Sequence, residues 1–383
     1  MSFCSRIPAA SSLLVSSLFF VSPAASGPLP SGTLGWQVSG HSLVRGVTVG
    51  PIENSLFSGR GYGSDRSART MQDVARMGGN WVSLTVFGRV FDGQSSGVSL
   101  TFETPFVENR AAVLRAIGQA HGAGLRVLLV PHLWVESGTW RGELDPGDDA
   151  AWARWEHAYA GFVRAWADVA RQGRVEMFAV GVELRTWVTT SRAPSFVDIL
   201  RDVRRRYPGL VTYAANWDDV ADTVILGELD VIGVNAFFPL ARKNGATLPQ
   251  LAEGARSQAA RLAELARAWA KPILFTEFGY TTRRDCAVEP WLWPEQVKGV
   301  TIDQRGQAEA YYALLSALFE QPWFAGFFVW RVFTDADDVT QEPEWGFSPR
   351  GKLAEFVLRD AFRATWAGDG PRLLGLSWLV PAS

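Results

Sequence analysis

Met177-Phe178-Ala179-Val180-Gly181-Val182-Glu183 is an apolar run closed by a carboxylate. A run this short, unbroken and without alternation reads as a strand buried on both faces, the kind found in parallel sheets flanked by helices. Working outward, the same unit recurs. Strand candidates are Leu43 to Val49, Asn80 to Phe87, Arg126 to His132, Met177 to Glu183, Leu210 to Ala215, Val231 to Asn235, Ile273 to Glu277 and Gly326 to Val332. Amphipathic stretches follow them at Ser64 to Met77, Asn109 to His121, Ala150 to Gln172, Ser195 to Tyr207, Asp219 to Leu226, Leu248 to Trp269, Asp303 to Glu320 and Lys352 to Phe362, the fifth being the shortest. Eight strands alternating with eight helices predict a single-domain α/β protein, a (β/α)8 TIM barrel. Asp303 and Ser195 are placed to cap helix N-termini, and Pro208-Gly209 stops the helix ending at Tyr207.

The 383-residue length suits one barrel with modest loop insertions, and 47% hydrophobic against 20% charged residues is globular usage. With 37 basic and 39 acidic residues there is no global field to favour nucleic acid, an anionic membrane or an acidic polymer, so a neutral substrate fits best. The 17 tryptophans supply flat apolar faces of the kind that stack on sugar rings, although Trp152, Trp155 and Trp166 lie in the long third helix and read as packing.

In such barrels the C-terminal strand ends converge on one site, and polar residues there require explanation. The third strand ends in Pro131-His132, the fourth in Glu183, the sixth in Asn235 and the seventh in Glu277, while the eighth carries Trp330 and Arg331. Carboxylates that terminate apolar strands suffer desolvation unless they are paired or used. Pairing with Arg185, Arg331 or His132 is the plain structural account of Glu183 and Glu277. The chemical account is an acid/base pair meeting across the barrel mouth, as a retaining glycosidase requires.

At these strand ends the sequence resembles the glycoside hydrolases of clan A, and more specifically family 113, over about Val44 to Phe362. The matching segments are Arg126 to His132, Trp140-Arg141-Gly142-Glu143-Leu144, Gly181-Val182-Glu183-Leu184, Asn216-Trp217-Asp218, Asp230 to Asn235, Lys271 to Tyr280 and Gly346 to Lys352. The resemblance implies a retaining glycoside hydrolase acting on β-linked polysaccharide or oligosaccharide, most specifically β-1,4-mannan. It makes Glu183 the acid/base, Glu277 the nucleophile and Trp330 the ring beneath the reacting sugar. His132 and Asn235 would orient carboxylates or sugar hydroxyls, and Trp140, Arg141, Asn216, Trp217, Tyr280 and Trp345 would bind neighbouring sugars from loops. One departure stands out. Clan A often places Asn immediately before its acid/base Glu, where it bonds the sugar 2-hydroxyl, and Val182 cannot make that contact. Phe237 and Phe238 likewise put plain aromatics near the sixth strand.

Other function classes fit less well. His132 alone among four histidines ends a strand and no close His pair occurs, which opposes a zinc hydrolase, so no metal or cofactor is expected. The segments after the seventh and eighth strands are not Gly-rich phosphate loops. A non-catalytic carbohydrate-binding barrel is the rival from a different class, opposed by the presence of both carboxylates. At the N-terminus, Arg6, the apolar Ala9 to Val21 and the small residues Ala24 to Ser26 resemble a secretory signal peptide over residues 1–26. A linker over 27–40, a catalytic domain over 41–366 and a tail over 367–383 complete the expected organisation. A secreted or periplasmic monomer with no membrane partner after signal removal follows. Loss of Cys4 with that segment would leave Cys286 as a single thiol.

Overall fold

The structure, a computed structural model, describes residues 42–53, 55–293 and 297–363, together with the backbone of 366–367 and 370–371. The expected signal segment and linker, residues 1–40, lie outside the described residues, as does most of the tail.

Eight parallel strands close into a barrel in sequence order: β1 (Val44–Gly50), β2 (Trp81–Val90), β3 (Arg126–Val135), β4 (Met177–Val182), β5 (Leu210–Asn216), β6 (Ile232–Asn235), β7 (Ile273–Phe278) and β8 (Phe324–Phe333). The helices are α1 (Asp65–Met77), α2 (Phe106–Gly122), α3 (Asp149–Gly173), α4 (Arg185–Val188), α5 (Ala193–Arg206), α6 (Leu248–Trp269), α7 (Gln304–Phe319) and α8 (Leu353–Arg363). Near the chain end, Trp366–Ala367 pairs antiparallel with Gly370–Pro371.

The apolar runs form strands because both faces are covered. Inside, Trp81, Leu128, Met177, Ala214, Leu274 and Phe328 belong to one buried cluster that fills the barrel. Val182 belongs to that cluster too, so its side chain is core and offers nothing to a sugar hydroxyl.

Two local expectations are corrected. The stretch Asp219 to Leu226 is not a helix but a series of turns followed by a 3-10 turn at Leu226–Glu228. The Asp219 carboxylate points to Arg185 instead of into solvent, and the short polar and β-branched residues there favour turns. A four-residue helix, α4, instead follows Glu183 closely. Ser195 does not cap α5, which starts two residues earlier with Pro194 in its first turn; the Ser195 hydroxyl accepts from Trp187 Nε1 and donates to Glu156. Asp303 does cap α7, accepting from the Gly306 N–H at 3.0 Å.

Closure of the ring depends on Gly326, which faces Val44 where β8 meets β1 and has φ +122°. A Cβ there would lie 2.0 Å from the Val44 carbonyl oxygen. Both the dihedral and the clash act on backbone, which cannot rotate away. Gly326→Ala is therefore expected to destabilise the fold by about 3 kcal/mol. An unchanged midpoint in urea denaturation would show the seam to be more compliant than its geometry.

Candidate active site

The barrel register brings several of the expected site side chains to one level. Asn216 on β5 is in register with Asn235 on β6, and Asn235 with Glu277 on β7. Glu183 follows β4, its N–H donating to the Ala214 carbonyl at 2.8 Å, and Leu184 N–H donates to the Tyr213 hydroxyl at 2.6 Å. Those two bonds hold Glu183 at φ +51°, a left-handed conformation that non-glycine residues rarely adopt.

Glu183 and Glu277 are 7% and 8% exposed, but their surroundings differ sharply. Glu183 Oε2 accepts from Trp140 Nε1 at 2.9 Å and from Arg141 at 2.6 Å, and its Oε1 accepts from Asn235 Nδ2 at 2.9 Å. Asn235 is oriented for this by the Thr276 hydroxyl, which donates to its Oδ1 at 2.9 Å. Three donors, one of them a cation, converge on the Glu183 carboxylate. Glu277 is pushed up to about 8, first by burial and then by the Glu183 charge, against the opposing pull of Arg141 and Arg331. Arg141 thus acts on both groups.

The partner of Glu183 is therefore Arg141, not the Arg185, Arg331 or His132 that the sequence offered. Arg185 acts from farther out. Its guanidinium lies 4.5 Å from the centroid of the Trp140 ring and is gripped by Asp219 at 2.7 Å and Asp218 at 2.5 Å. Asn216 Nδ2 completes the group by donating to Asp218 at 2.8 Å. Burial works against the Arg185 charge, yet its bonds to Asp219 and Asp218 outweigh it and hold the guanidinium above its ordinary range. Asp219 is raised to about 6 by burial, against the pull of Arg185. Beneath the indole, Gly142 leaves room that no other residue would, since a Cβ there would lie 2.3 Å from the Trp140 ring. The string 216–218 marked this loop in the sequence, but Asp219 was hidden inside an expected helix.

His132 is buried, its Nδ1–H donating to the Leu133 carbonyl at 3.1 Å. Burial, followed by the Arg141 charge, holds its pKa well below the ordinary value, so it is neutral with Nε2 as an acceptor. Trp330 is buried on β8, with the Arg331 guanidinium 4.9 Å from its ring centroid and Trp293 edge-on at 6.3 Å. Among the described residues nothing accepts from the buried Trp330 Nε1.

The remaining expected binding residues divide. Trp217 stacks on Trp291 at 5.3 Å, and Trp291 is 40% exposed, so this pair forms an aromatic surface beside β5. Tyr280 does not belong to an open loop: it is fully buried and its hydroxyl donates to the Phe238 carbonyl at 3.0 Å, which makes it core. Trp345 is half-buried, and its carbonyl accepts from the Thr282 N–H at 3.0 Å. Among the described residues no three His, Cys, Asp or Glu side chains converge as a metal site requires.

A family model described as glycoside hydrolase family 113 matches residues 55–347. The chain is similar in structure to a GH113 β-1,4-mannanase, with TM-score 0.72 and 23% identity, covering 85% of this chain and 100% of that one. It is similar also to the GH113 β-mannanase AaManA from Alicyclobacillus acidocaldarius, with TM-score 0.71 and 25% identity, covering 84% and 97%. A glycoside hydrolase family 5 mannosidase from Rhizomucor miehei shares the fold more distantly, with TM-score 0.57 at 13% identity over 84% and 92%. No curated protein sequence matches the chain.

Proposed function

The chain belongs to glycoside hydrolase family 113 and is a glycoside hydrolase; from that premise we propose that it cleaves β-1,4-mannan or mannooligosaccharides with retention, Glu277 acting as nucleophile and Glu183 as acid/base. The observation that carries this reading is the pair itself: two buried carboxylates at the ends of β4 and β7, one held by three donors and the other raised by burial. The β-mannanases to which the chain is similar support the choice of sugar.

Below about pH 8 the raised Glu277 carboxyl holds its proton, while Glu183 is paired with Arg141. Attack on the anomeric carbon needs the opposite arrangement, with Glu277 ionised and Glu183 carrying the proton for the departing oxygen. Because Arg141 bonds one carboxylate and electrostatically favours ionisation of the other, a sugar that draws its guanidinium toward Glu277 moves the proton to Glu183. Once Glu277 is esterified its charge is gone, and Glu183 can take a proton from the attacking water. Val182 supplies no bond to the 2-hydroxyl, so stabilisation there must come from elsewhere.

The test is purified protein on β-mannan, mannooligosaccharides and aryl β-mannosides and β-glucosides, with product anomers read by NMR. Release of the β-anomer first is expected. Inverted product would overturn double displacement, and no release from any β-linked substrate would favour a binding barrel.

The pair also sets a pH dependence. The productive form and the resting form hold the same single proton, so kcat/KM should fall as pH rises through about 8, where that proton is lost. Glu183→Gln removes the repulsion and should move the Glu277 titration downward, as followed by its carboxyl infrared band. Activity that instead increases above pH 8 would mean that Glu277 must ionise before Glu183 is protonated, and would contradict the shared-proton account.

A further inference from the structure

The barrel wall is higher on one side of the mouth. β2 and β3 stay paired past the Phe87–His132 level, through Leu133 and Trp134 to Val90–Val135, and the ladder continues as Glu136 and Ser137 N–H donate to the carbonyls of Val90 and Phe91. β4 and β6, by contrast, end at or just before the carboxylate level. On the raised wall stands an aromatic cluster. Phe87 packs edge-on against His132 at 5.1 Å and stacks on Phe102 at 5.0 Å, and Trp134 sits edge-on to both Phe87 and Phe102 at 6.2 Å. Trp134 is 50% exposed, and the cluster does not bury it. Beside it Arg89 lies over Phe102, donates to the Phe102 carbonyl and pairs with Glu136, which puts donors and acceptors at the edge of the exposed ring.

Its location says what it serves. Trp134 shares a strand face with His132, two residues and so roughly 7 Å farther from the centre, about one sugar ring out. The same segment runs on within seven residues to Trp140 and Arg141, the donors to Glu183. A flat apolar ring half-open to solvent, rimmed by a polar pair and continuous with the carboxylates, is built to stack a sugar and bond its hydroxyls.

We infer that Trp134, supported by Phe87, Phe102 and Arg89, forms a distal subsite that holds a sugar unit of the β-linked chain beyond the units flanking the cleaved bond. This rests on the function proposed above and deepens it: a site with such a platform favours long chains over short ones. Trp134→Ala is expected to lower kcat/KM on mannohexaose about tenfold. It should leave hydrolysis of an aryl β-mannoside, which spans only the central site, unchanged. Trp134→Phe should recover some of the loss, and Phe356→Ala, an equally exposed aromatic on α8, should change neither substrate. An equal effect on both substrates would make Trp134 merely structural, and no effect on either would leave the platform without a role; both overturn the inference. If the parent cleaves no β-linked substrate the function proposed above fails by itself. Calorimetric titration of parent and Trp134→Ala with mannohexaose and cellohexaose then decides separately: binding weakened by the substitution sustains the subsite, while binding that is unchanged or absent in the parent overturns it.

Discussion

Replacing Glu277 by alanine is expected to lower kcat on β-mannan by about 10⁵-fold, the scale at which loss of a covalent nucleophile is felt. Glu277 lies at the end of β7, is almost fully buried, and has Arg141 and Arg331 close enough to favour its charge. In the variant the vacated space opens the face of the sugar opposite the leaving group. Added azide should enter there, attack once, and give the α-glycosyl azide from an activated β-mannoside. The anomer of that product assigns the role: a β-azide from Glu277→Ala would exchange the roles given to the two carboxylates. The same substitution removes a buried group whose folded pKa lies above its unfolded value. Such a group stabilises the fold fully below the unfolded pKa and ceases to do so as pH rises through about 8, so the uncharged Glu277→Gln should gain thermal stability over the parent at pH 9 and not at pH 4.

Glu183→Ala should behave differently, and the difference identifies the acid/base. Loss of proton donation is expected to cost about 10³-fold on mannan, whose leaving sugar is a poor one, and far less on a dinitrophenyl mannoside that departs without help. With the activated substrate the first step then outruns the second, so a glycosyl-enzyme should accumulate as a burst. Azide should intercept it with a second inversion and give the β-glycosyl azide. Uniform loss on both substrates without a burst would remove Glu183 from the acid role. The truncation also leaves Trp140, Arg141 and Asn235 without their common acceptor, so Glu183→Gln, which keeps an acceptor oxygen, separates loss of the proton from loss of the bonds.

How far the sequence alone reached varies with the physics involved. The barrel was legible because a parallel strand buried on both faces writes itself as a continuous apolar run, and helix α6 is found over the same Leu248–Trp269 that its periodicity marks. Asp219 to Leu226 misled because a half-buried ion pair, not amphipathic spacing, organises that loop. The strand-end position of both carboxylates could be read, since a charge closing an apolar run has few explanations. That Arg141 is the group gripping Glu183 could not, because the contact spans 42 residues and depends on how a loop folds over Gly142. Nor could the sequence sort Tyr280, expected at the site, from Trp134, which carried no expectation. An aromatic next to an apolar run bears no mark of which way its ring faces, and only packing sends Tyr280 into the core and leaves Trp134 half in solvent.

The left-handed backbone at Glu183 has a further consequence for what selection must do to keep this site. A glutamate there bears backbone strain of about 1 kcal/mol and a buried carboxylate that Arg141, Trp140 and Asn235 must hold, and glycine would relieve the first while abolishing the second. Mutational drift under pressure for folding alone should therefore run away from glutamate at this position. A library of variants recovered by heat challenge without any demand for activity is expected to be enriched in Glu183→Gly. Such enrichment would mark glutamate at this position as kept for something other than stability, as the proposed acid/base role requires.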